Sequence, residues 1–286
     1  MALAYEKLLN YKFEPIEQTY TSRDCMLYAL GIGLSHEPTD RDELRFTYEK
    51  ELRVLPTFPV VLCRPGDWYK RPDLGIDWVR MLHGEQSVEV TGSLPVAATV
   101  IGRNKVMRVV DKGEGRGALV FLGREIVEKA SGNLLATLGQ TLFLRGGGGF
   151  GGPAVTVPKP HVIPGRRQDI TAETIIDRRA ALIYRLSGDY NEIHADPELA
   201  TKAGFDRPIF HGLGSFGMVA FEVLKYVCNC DVGKMCSIGA RFSAPVYPGE
   251  VLRTEIWVDG DQVSFRASVV ERGTTVLDNG MAKIVP

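Results

Sequence analysis

The chain has 286 residues, 44% hydrophobic and 24% charged, with 34 Lys plus Arg against 35 Asp plus Glu for a net charge of −1. This composition excludes a disordered, coiled-coil or collagen-like chain, and without a cationic excess nucleic acid is not an expected partner. Apolar runs such as residues 58–63 fall far short of the ~20 residues of a membrane span, and the start Met1-Ala-Leu-Ala-Tyr-Glu-Lys lacks a signal-peptide layout, so a soluble intracellular protein is expected.

In chain order, Thr21 followed by Asp24 resembles a capping box and predicts a helix over 21–34. Pro56, Pro59, Pro65 and Pro72 then forbid a long helix between 52 and 75, since an interior proline costs ~3 kcal/mol or more. Alternation predicts strands over 76–82, 87–92, 97–110, 118–128 and 134–144, parted by turn signals such as Lys112-Gly-Glu-Gly-Arg-Gly117. The run Gly146-Gly-Gly-Gly-Phe-Gly-Gly-Pro153, with Pro158, Pro160 and Pro164 beyond it, reads as a linker. It divides the chain into a first half, 1–145, a linker, 146–164, and a second half, 165–286. The second half opens on a helix predicted over 171–186 with Thr171 as N-cap. A further helix over 212–228 is so apolar that it must be enclosed on most sides, and strands follow over 251–258 and 262–270. A helix followed by a meander of antiparallel strands, given twice, is an α+β architecture. Cys25, Cys63, Cys228, Cys230 and Cys236 are odd in number and sparse. They form no disulfide framework, and Cys228-Asn-Cys230 lacks the second knuckle of a structural zinc site, so reduced thiols and no metal are expected.

The densest polar cluster is Tyr184-Arg-Leu-Ser-Gly-Asp-Tyr-Asn-Glu-Ile-His194. Asp189, Asn191 and His194 fall within six residues, and a carboxylate with an imidazole can move protons to and from water near neutral pH. The plainer reading is a capped helix start, with Asp189 and Asn191 satisfying backbone N–H groups and His194 in solvent. Next comes Arg207-Pro-Ile-Phe-His-Gly-Leu-Gly-Ser-Phe-Gly217, leading into the apolar helix. Unpaired N–H groups at such a helix start, with a glycine admitting a carbonyl oxygen, have the geometry of an oxyanion hole. Gly212-Leu-Gly-Ser-Phe-Gly217 also spells G-x-G-x-x-G, but no strand precedes it and antiparallel strands follow, so a dinucleotide site is not expected. Nor is Ser215 a nucleophile elbow, which would need glycine at Leu213.

These two segments, together with Arg241-Phe-Ser-Ala-Pro-Val-Tyr-Pro-Gly-Glu250 and Met81-Leu-His-Gly-Glu-Gln86, resemble the signature of the MaoC-like, (R)-specific 2-enoyl-CoA hydratase 2 family over nearly the whole chain. Glu192 departs from the usual proline there, between the functional positions. The resemblance implies a double hot dog, in which each half wraps a sheet around a helix, with one active site in the second half. It implies that Asp189, His194 and Asn191 hold and activate water and that the Gly212 N–H receives the thioester oxygen. Substrate and CoA contacts would fall on His83, Gly84, Lys112, Tyr190 and Phe242. It implies reversible hydration of trans-2-enoyl-CoA to the (3R)-3-hydroxyacyl-CoA in β-oxidation, by a homodimer that needs no cofactor beyond the substrate's own CoA. A peroxisomal location follows from the resemblance, although Met281-Ala-Lys-Ile-Val-Pro286 is no Ser-Lys-Leu-type address. The alternatives are a 3-hydroxyacyl thioester dehydratase of fatty-acid synthesis and a non-catalytic acyl-CoA-binding protein of the same fold. The first half, lacking a carboxylate before His36 and a long helix, is expected to have no active site. Its sheet would either receive an acyl tail, lined by Val60, Val61, Leu62, Trp68 and Trp78, or be plugged by those side chains.

Overall fold

The computed structural model describes residues 3–153, 157 and 159–285, so parts of the Gly/Pro segment, Pro158 among them, and the terminal Pro286 lie outside the described residues. The elements in chain order are α1 (Tyr5–Leu9), β1 (Ile16–Tyr20), α2 (Ser22–Gly31), α3 (Arg41–Thr47), β2 (Met81–Val90), β3 (Ala98–Asp111), β4 (Ala118–Glu128) and β5 (Leu134–Leu144). They continue with β6 (Ile170–Ile175), α4 (Ala180–Tyr184), α5 (Pro197–Lys202), α6 (Gly212–Cys228), β7 (Met235–Phe242), β8 (Val251–Asp259), β9 (Gln262–Val269) and β10 (Thr274–Ile284). The ten strands form one sheet in the order β1-β3-β4-β5-β2-β7-β10-β9-β8-β6. Read outward from the middle, both halves have the same order: second strand innermost, first strand at the edge. β2 and β7 join them antiparallel, Glu85 opposite Arg241 through Glu89 opposite Ser237. The Arg241 guanidinium closes on the Glu85 carboxylate at 2.6 Å across this seam.

The strong alternation in β9 does what it should. Val263, Phe265, Ala267 and Val269 are fully buried, and they join α6 in a hydrophobic core that runs through both halves. The helix packs on β6, β7 and β8 and buries most of its residues, Glu222 included. Its three glycines are contact points. A Cβ at Gly214 would fall 2.4 Å from the Phe210 ring, and one at Gly217 would fall 2.8 Å from Tyr28 Oη and 2.9 Å from Ile32. The G-x-G-x-x-G pattern therefore serves close packing. No helix among the described residues is long and apolar enough to cross a membrane.

Several expectations need correction. Residues 170–175 are a strand, not the start of a helix: Ile170 to Ile175 pair with β8, so Thr171 caps nothing, and the helix is reduced to α4. The edge strand β1, its counterpart in the first half, was not foreseen. The capping box of Thr21 and Asp24 does start α2, with Thr21 N–H donating to the Asp24 carboxylate at 2.8 Å. Strands 76–82 and 87–92 are in fact one strand, β2, preceded by a single helical turn at Trp78–Arg80 and interrupted by a bulge at Gly84. In place of a long helix the first half has short turns at Phe58–Val61, Trp68–Lys70 and Pro72–Leu74, two of which have a proline within their first two positions.

Val60, Val61 and Leu62 are buried in the common core, whereas Trp68 belongs to a second cluster with Leu8, Leu74 and Val109. Trp78 is 45% exposed, so it lines no interior space. Beside Pro65, Leu122, Arg124 and Leu138 lies a cavity of about 10 Å³, room for one water. The glycine run is tethered: the Asp111 carboxylate accepts from the N–H groups of Gly113, Gly149 and Gly151 at 2.7 to 2.8 Å. All five cysteines are free thiols, and burial pushes Cys228 and Cys230 up to about 11.

Candidate active site

Gly188, with φ +108, ends the helical segment after Tyr184 and turns the chain so that Asp189 leads into the site. The Asn191 side chain accepts from the N–H of Ile193 at 3.3 Å and starts a single turn, Glu192–His194, whose last residue is His194. Asp196 caps the separate helix α5. The Asp189 carboxylate also accepts from the N–H of Asn191 at 3.4 Å, so Asp189 and Asn191 both do the capping work of the plainer reading. His194, however, points inward and is 8% exposed, which removes the solvent-facing alternative.

The His194 Nδ1–H donates to the carbonyl of Ile209 at 2.9 Å, which leaves Nε2 as the ring's lone-pair nitrogen. The His194 ring stacks on that of His211, centroids 3.6 Å apart. His211 Nε2–H donates to the Asp189 carbonyl at 3.1 Å. Carboxylate and imidazole atoms of Asp189, His194 and His211 come within 4.8 Å of one another. Asp189 and His194 therefore do converge, and His211, which sequence reasoning passed over, completes the group.

His211 is also the N-cap of α6, with no side-chain cap bond, so the first N–H groups of this enclosed helix remain unpaired among the described residues. The first is that of Gly212. A Cβ there would come within 3.2 Å of the Phe242 ring, so the glycine keeps a passage open beside this N–H. Phe242 meets the ring of His83 edge-on, centroids 4.8 Å apart, and the bulge at Gly84 sets that ring on β2. These residues form one wall, spanning the seam between the halves.

The other two expected contacts stand apart from this wall. The Tyr190 ring is 58% exposed beneath the Arg185 guanidinium. Lys112 is exposed on the β3–β4 turn, its ammonium 5.0 Å from the centre of the Phe143 ring. It lies at the same end of the sheet as His83 but three strands away.

Two further groups join the site. Arg64, from the irregular first-half segment, places Nη1 2.8 Å from Asp189 Oδ2. Tyr184 is fully buried 4.8 Å from the His211 ring, and its hydroxyl has no hydrogen-bond partner among the described residues. Electrostatics follow. Burial, the largest single influence, would raise the Asp189 carboxyl, but the Arg64 guanidinium and the two imidazoles together outweigh it and hold the group below the usual carboxylate range. Burial lowers His194 against the opposing pull of its Ile209 bond and of Asp189. Burial, then Arg64, takes His83 down to about 4. At neutral pH the site holds one carboxylate, one guanidinium and neutral imidazoles. A divalent cation would have to displace the guanidinium from Asp189. This donor set fits proton transfer better than metal binding.

A family model described as the MFE-2 hydratase 2 N-terminal domain matches residues 18–146, and one described as a MaoC-like domain matches residues 160–280. The chain is 37% identical to a protein of Arabidopsis thaliana named peroxisomal enoyl-CoA hydratase 2, covering 94% of this chain and 92% of that one. It is 33% identical to the peroxisomal multifunctional enzyme type 2 of Mus musculus, over 97% of this chain but 38% of that longer protein. Among solved structures, a MaoC-like dehydratase from Phytophthora capsici superposes with a TM-score of 0.88 at 35% identity, covering 99% and 98% of the two chains. A Mycobacterium tuberculosis protein described as having a double hotdog fold matches with a TM-score of 0.61 over 96% of each chain, and at 14% identity it bears on the fold alone.

Proposed function

Because the chain belongs to the enoyl-CoA hydratase 2 family of MaoC-like proteins, we propose that it hydrates trans-2-enoyl-CoA reversibly to (3R)-3-hydroxyacyl-CoA in fatty-acid β-oxidation. One observation carries this reading: Asp189 and His194 converge with His211, the residue directly before the unpaired N–H of Gly212. A thioester carbonyl accepting from Gly212 N–H would set its C2=C3 bond against a water held by Asp189 and His194. As the water oxygen bonds to C3, one water proton passes to His194 Nε2. The C2=C3 electron pair shifts toward the thioester oxygen, where the N–H and the helix dipole stabilise the charge. That proton is then delivered to C2, so both hydrogens of water end in the product. His194 is the stronger base of the pair, since Asp189 is held by Arg64 and serves better to orient the water. No cofactor is called for. Tyr184 and His211 back the dyad with ring contacts.

His83, Gly84 and Phe242 would face the acyl thioester from the first-half side, with Tyr190 and Lys112 serving CoA from the surface. The relatives named as peroxisomal support that compartment, and a homodimer is the assembly the resemblance implies. The deciding experiment is incubation with crotonyl-CoA and 2-decenoyl-CoA, with chiral analysis of the products. Exclusive (3R) product supports the reading, and (3S) product or no turnover ends it. A kcat/KM for 2-decenoyl-CoA at or above that for crotonyl-CoA is expected if the first half yields to a tail. Confinement to four carbons would show that Val60, Val61 and Leu62 are plugs. The dehydratase reading has one specific support, a relative named 3-hydroxyacyl-thioester dehydratase Y at 36% identity, and carrier-protein substrates assayed against CoA substrates separate the two.

Lys112→Ala is expected to raise KM roughly two- to fivefold, the worth of an exposed charge pair, with kcat little changed. The variant's KM should also vary less with salt. A collapse of kcat with KM intact would remove Lys112 from CoA binding.

A further inference from the structure

We infer that Arg64 is a positioning residue for the reaction, by which the first half fixes the dyad carboxylate of the second. This rests on the hydratase reading for its kinetic test, though not for its direct one. Arg64 precedes Asp189 by 125 positions in the sequence, and its guanidinium lies 2.8 Å from the carboxylate. Among the described residues Asp189 is the only carboxylate that meets it.

The backbone that delivers Arg64 is clamped on three sides. Cys63 N–H donates to the Gln18 side chain of β1 at 2.7 Å, and Asn104 of β3 donates to the Cys63 carbonyl at 3.2 Å. The guanidinium of Arg124, buried on β4, donates to the carbonyls of Leu62 and Val60 at 2.5 and 3.4 Å. Cys63 itself sits at φ +51, a left-handed turn that non-glycine residues seldom adopt. A segment with no helix to satisfy its carbonyls has them satisfied by side chains of the sheet. The result is a fixed platform ending on Arg64, and a preorganised cation needs no rearrangement to hold Asp189 in place.

The charged and titratable groups around this pair are few. From the second half, His194, His211 and the Tyr184 hydroxyl face it; from the first half, Asp67, Tyr69, His83 and the Arg124 guanidinium interact with Arg64. The guanidinium acts on the dyad with two signs. It attracts the charge of Asp189 and repels a proton on His194. Removing it raises the pKa of both groups, so the acid limb of kcat/KM moves to higher pH whichever of the two sets that limb.

The test is a pH profile of kcat/KM for Arg64→Gln, which keeps length and loses charge, and Arg64→Lys, which keeps charge and loses the planar fork. Arg64→Gln is expected to move the acid limb up by about one unit or more, the scale of losing a charge partner within 4–6 Å. It should lower kcat/KM roughly 10- to 100-fold, the scale of losing an orienting partner. Arg64→Lys should return the limb to within about half a unit of wild type while leaving kcat/KM several-fold down. A limb that stays put in Arg64→Gln overturns the inference, even where kcat falls, because a merely structural loss lowers the rate at every pH. Arg64→Met supplies a second uncharged side chain should the glutamine variant not fold. Carboxyl NMR of aspartate-labelled protein, with the Asp189 signal identified by its absence in Asp189→Asn, reads the same shift without turnover. If the wild-type chain hydrates no enoyl-CoA, the functional reading fails, and this titration still decides whether Arg64 holds Asp189.

Discussion

Asp189→Asn and His194→Gln each lower kcat by about two to four orders of magnitude, the scale of removing a positioned acid or base. Neither change should unfold the chain. Asparagine keeps the shape of Asp189, and its side-chain oxygen can still face the Arg64 guanidinium. Glutamine can still present an N–H toward the Ile209 carbonyl that His194 Nδ1 now meets. His194→Gln loses proton traffic, since an amide neither accepts the proton of water at neutral pH nor returns it, and Asp189→Asn loses the charged acceptor that orients the water. Near-wild-type turnover in either variant would remove that residue from the mechanism.

The wild-type pH profile has its own sign. His194 is needed neutral, and burial holds its pKa below the ordinary 6.5, so activity persists as pH falls through 6.5 and declines only below it. The buried carboxylate stays ionised through that range because Arg64 holds it down. A limb above pH 7 would contradict the buried, Ile209-bonded imidazole. The two groups interact, so the limb belongs to the pair and site assignments come from the variants.

Much of the fold could be read wherever local chemistry and tertiary outcome agree. The apolar spacing of residues 212–228 and the alternation of β9 each need burial on one face or all round, and each gets it. Residues 170–175 show where this fails. Thr171 reads as a helix cap, yet Ile170, Thr171, Thr174 and Ile175 are β-branched and pair with the edge of β8. The partner strand decides, and it lies about 80 residues away. Gly84 similarly marks a break in the pattern, but what it permits is a bulge within a single strand.

The candidate site divides the same way. Asp189, Asn191, His194 and Gly212 are legible because the segments holding them are short and their turns are locally capped. His211 and Tyr184 stand in those same segments; a histidine preceding an unpaired helix start, and a tyrosine opening the dyad segment, were available signals. Tyr184 has a counterpart in Tyr28 of α2, the two buried rings 6.0 Å apart, yet Tyr28 donates to Thr57 and the Tyr184 hydroxyl has no hydrogen-bond partner among the described residues. Only the second half's tyrosine stands beside imidazoles. Arg64 had no signal at all, since its role depends on a contact between halves that no periodicity encodes.

The second large effect concerns α6, on which both core and site depend. Phe216→Ala should cost about 3–5 kcal/mol, because the ring is fully buried and its loss leaves a cavity that a closely packed helix cannot collapse to fill. The surroundings explain why. Gly214 and Gly217 already bring the helix backbone against Phe210, Tyr28 and Ile32, so it has little freedom to shift toward the void. At roughly 2–4 °C per kcal/mol for a domain of this size, Tm falls by about 6–20 °C. The denaturation midpoint should drop with the slope unchanged, as expected when stability changes and the unfolded state does not. Tyr226→Ala on the same helix is the control. That side chain is 50% exposed, and its loss should stay within about 0.5 kcal/mol. Equal losses in the two variants would mean that α6 is not enclosed as described. An unchanged Tm in Phe216→Ala would mean that the helix can slide, and Gly212 would then be no fixed donor for a thioester oxygen.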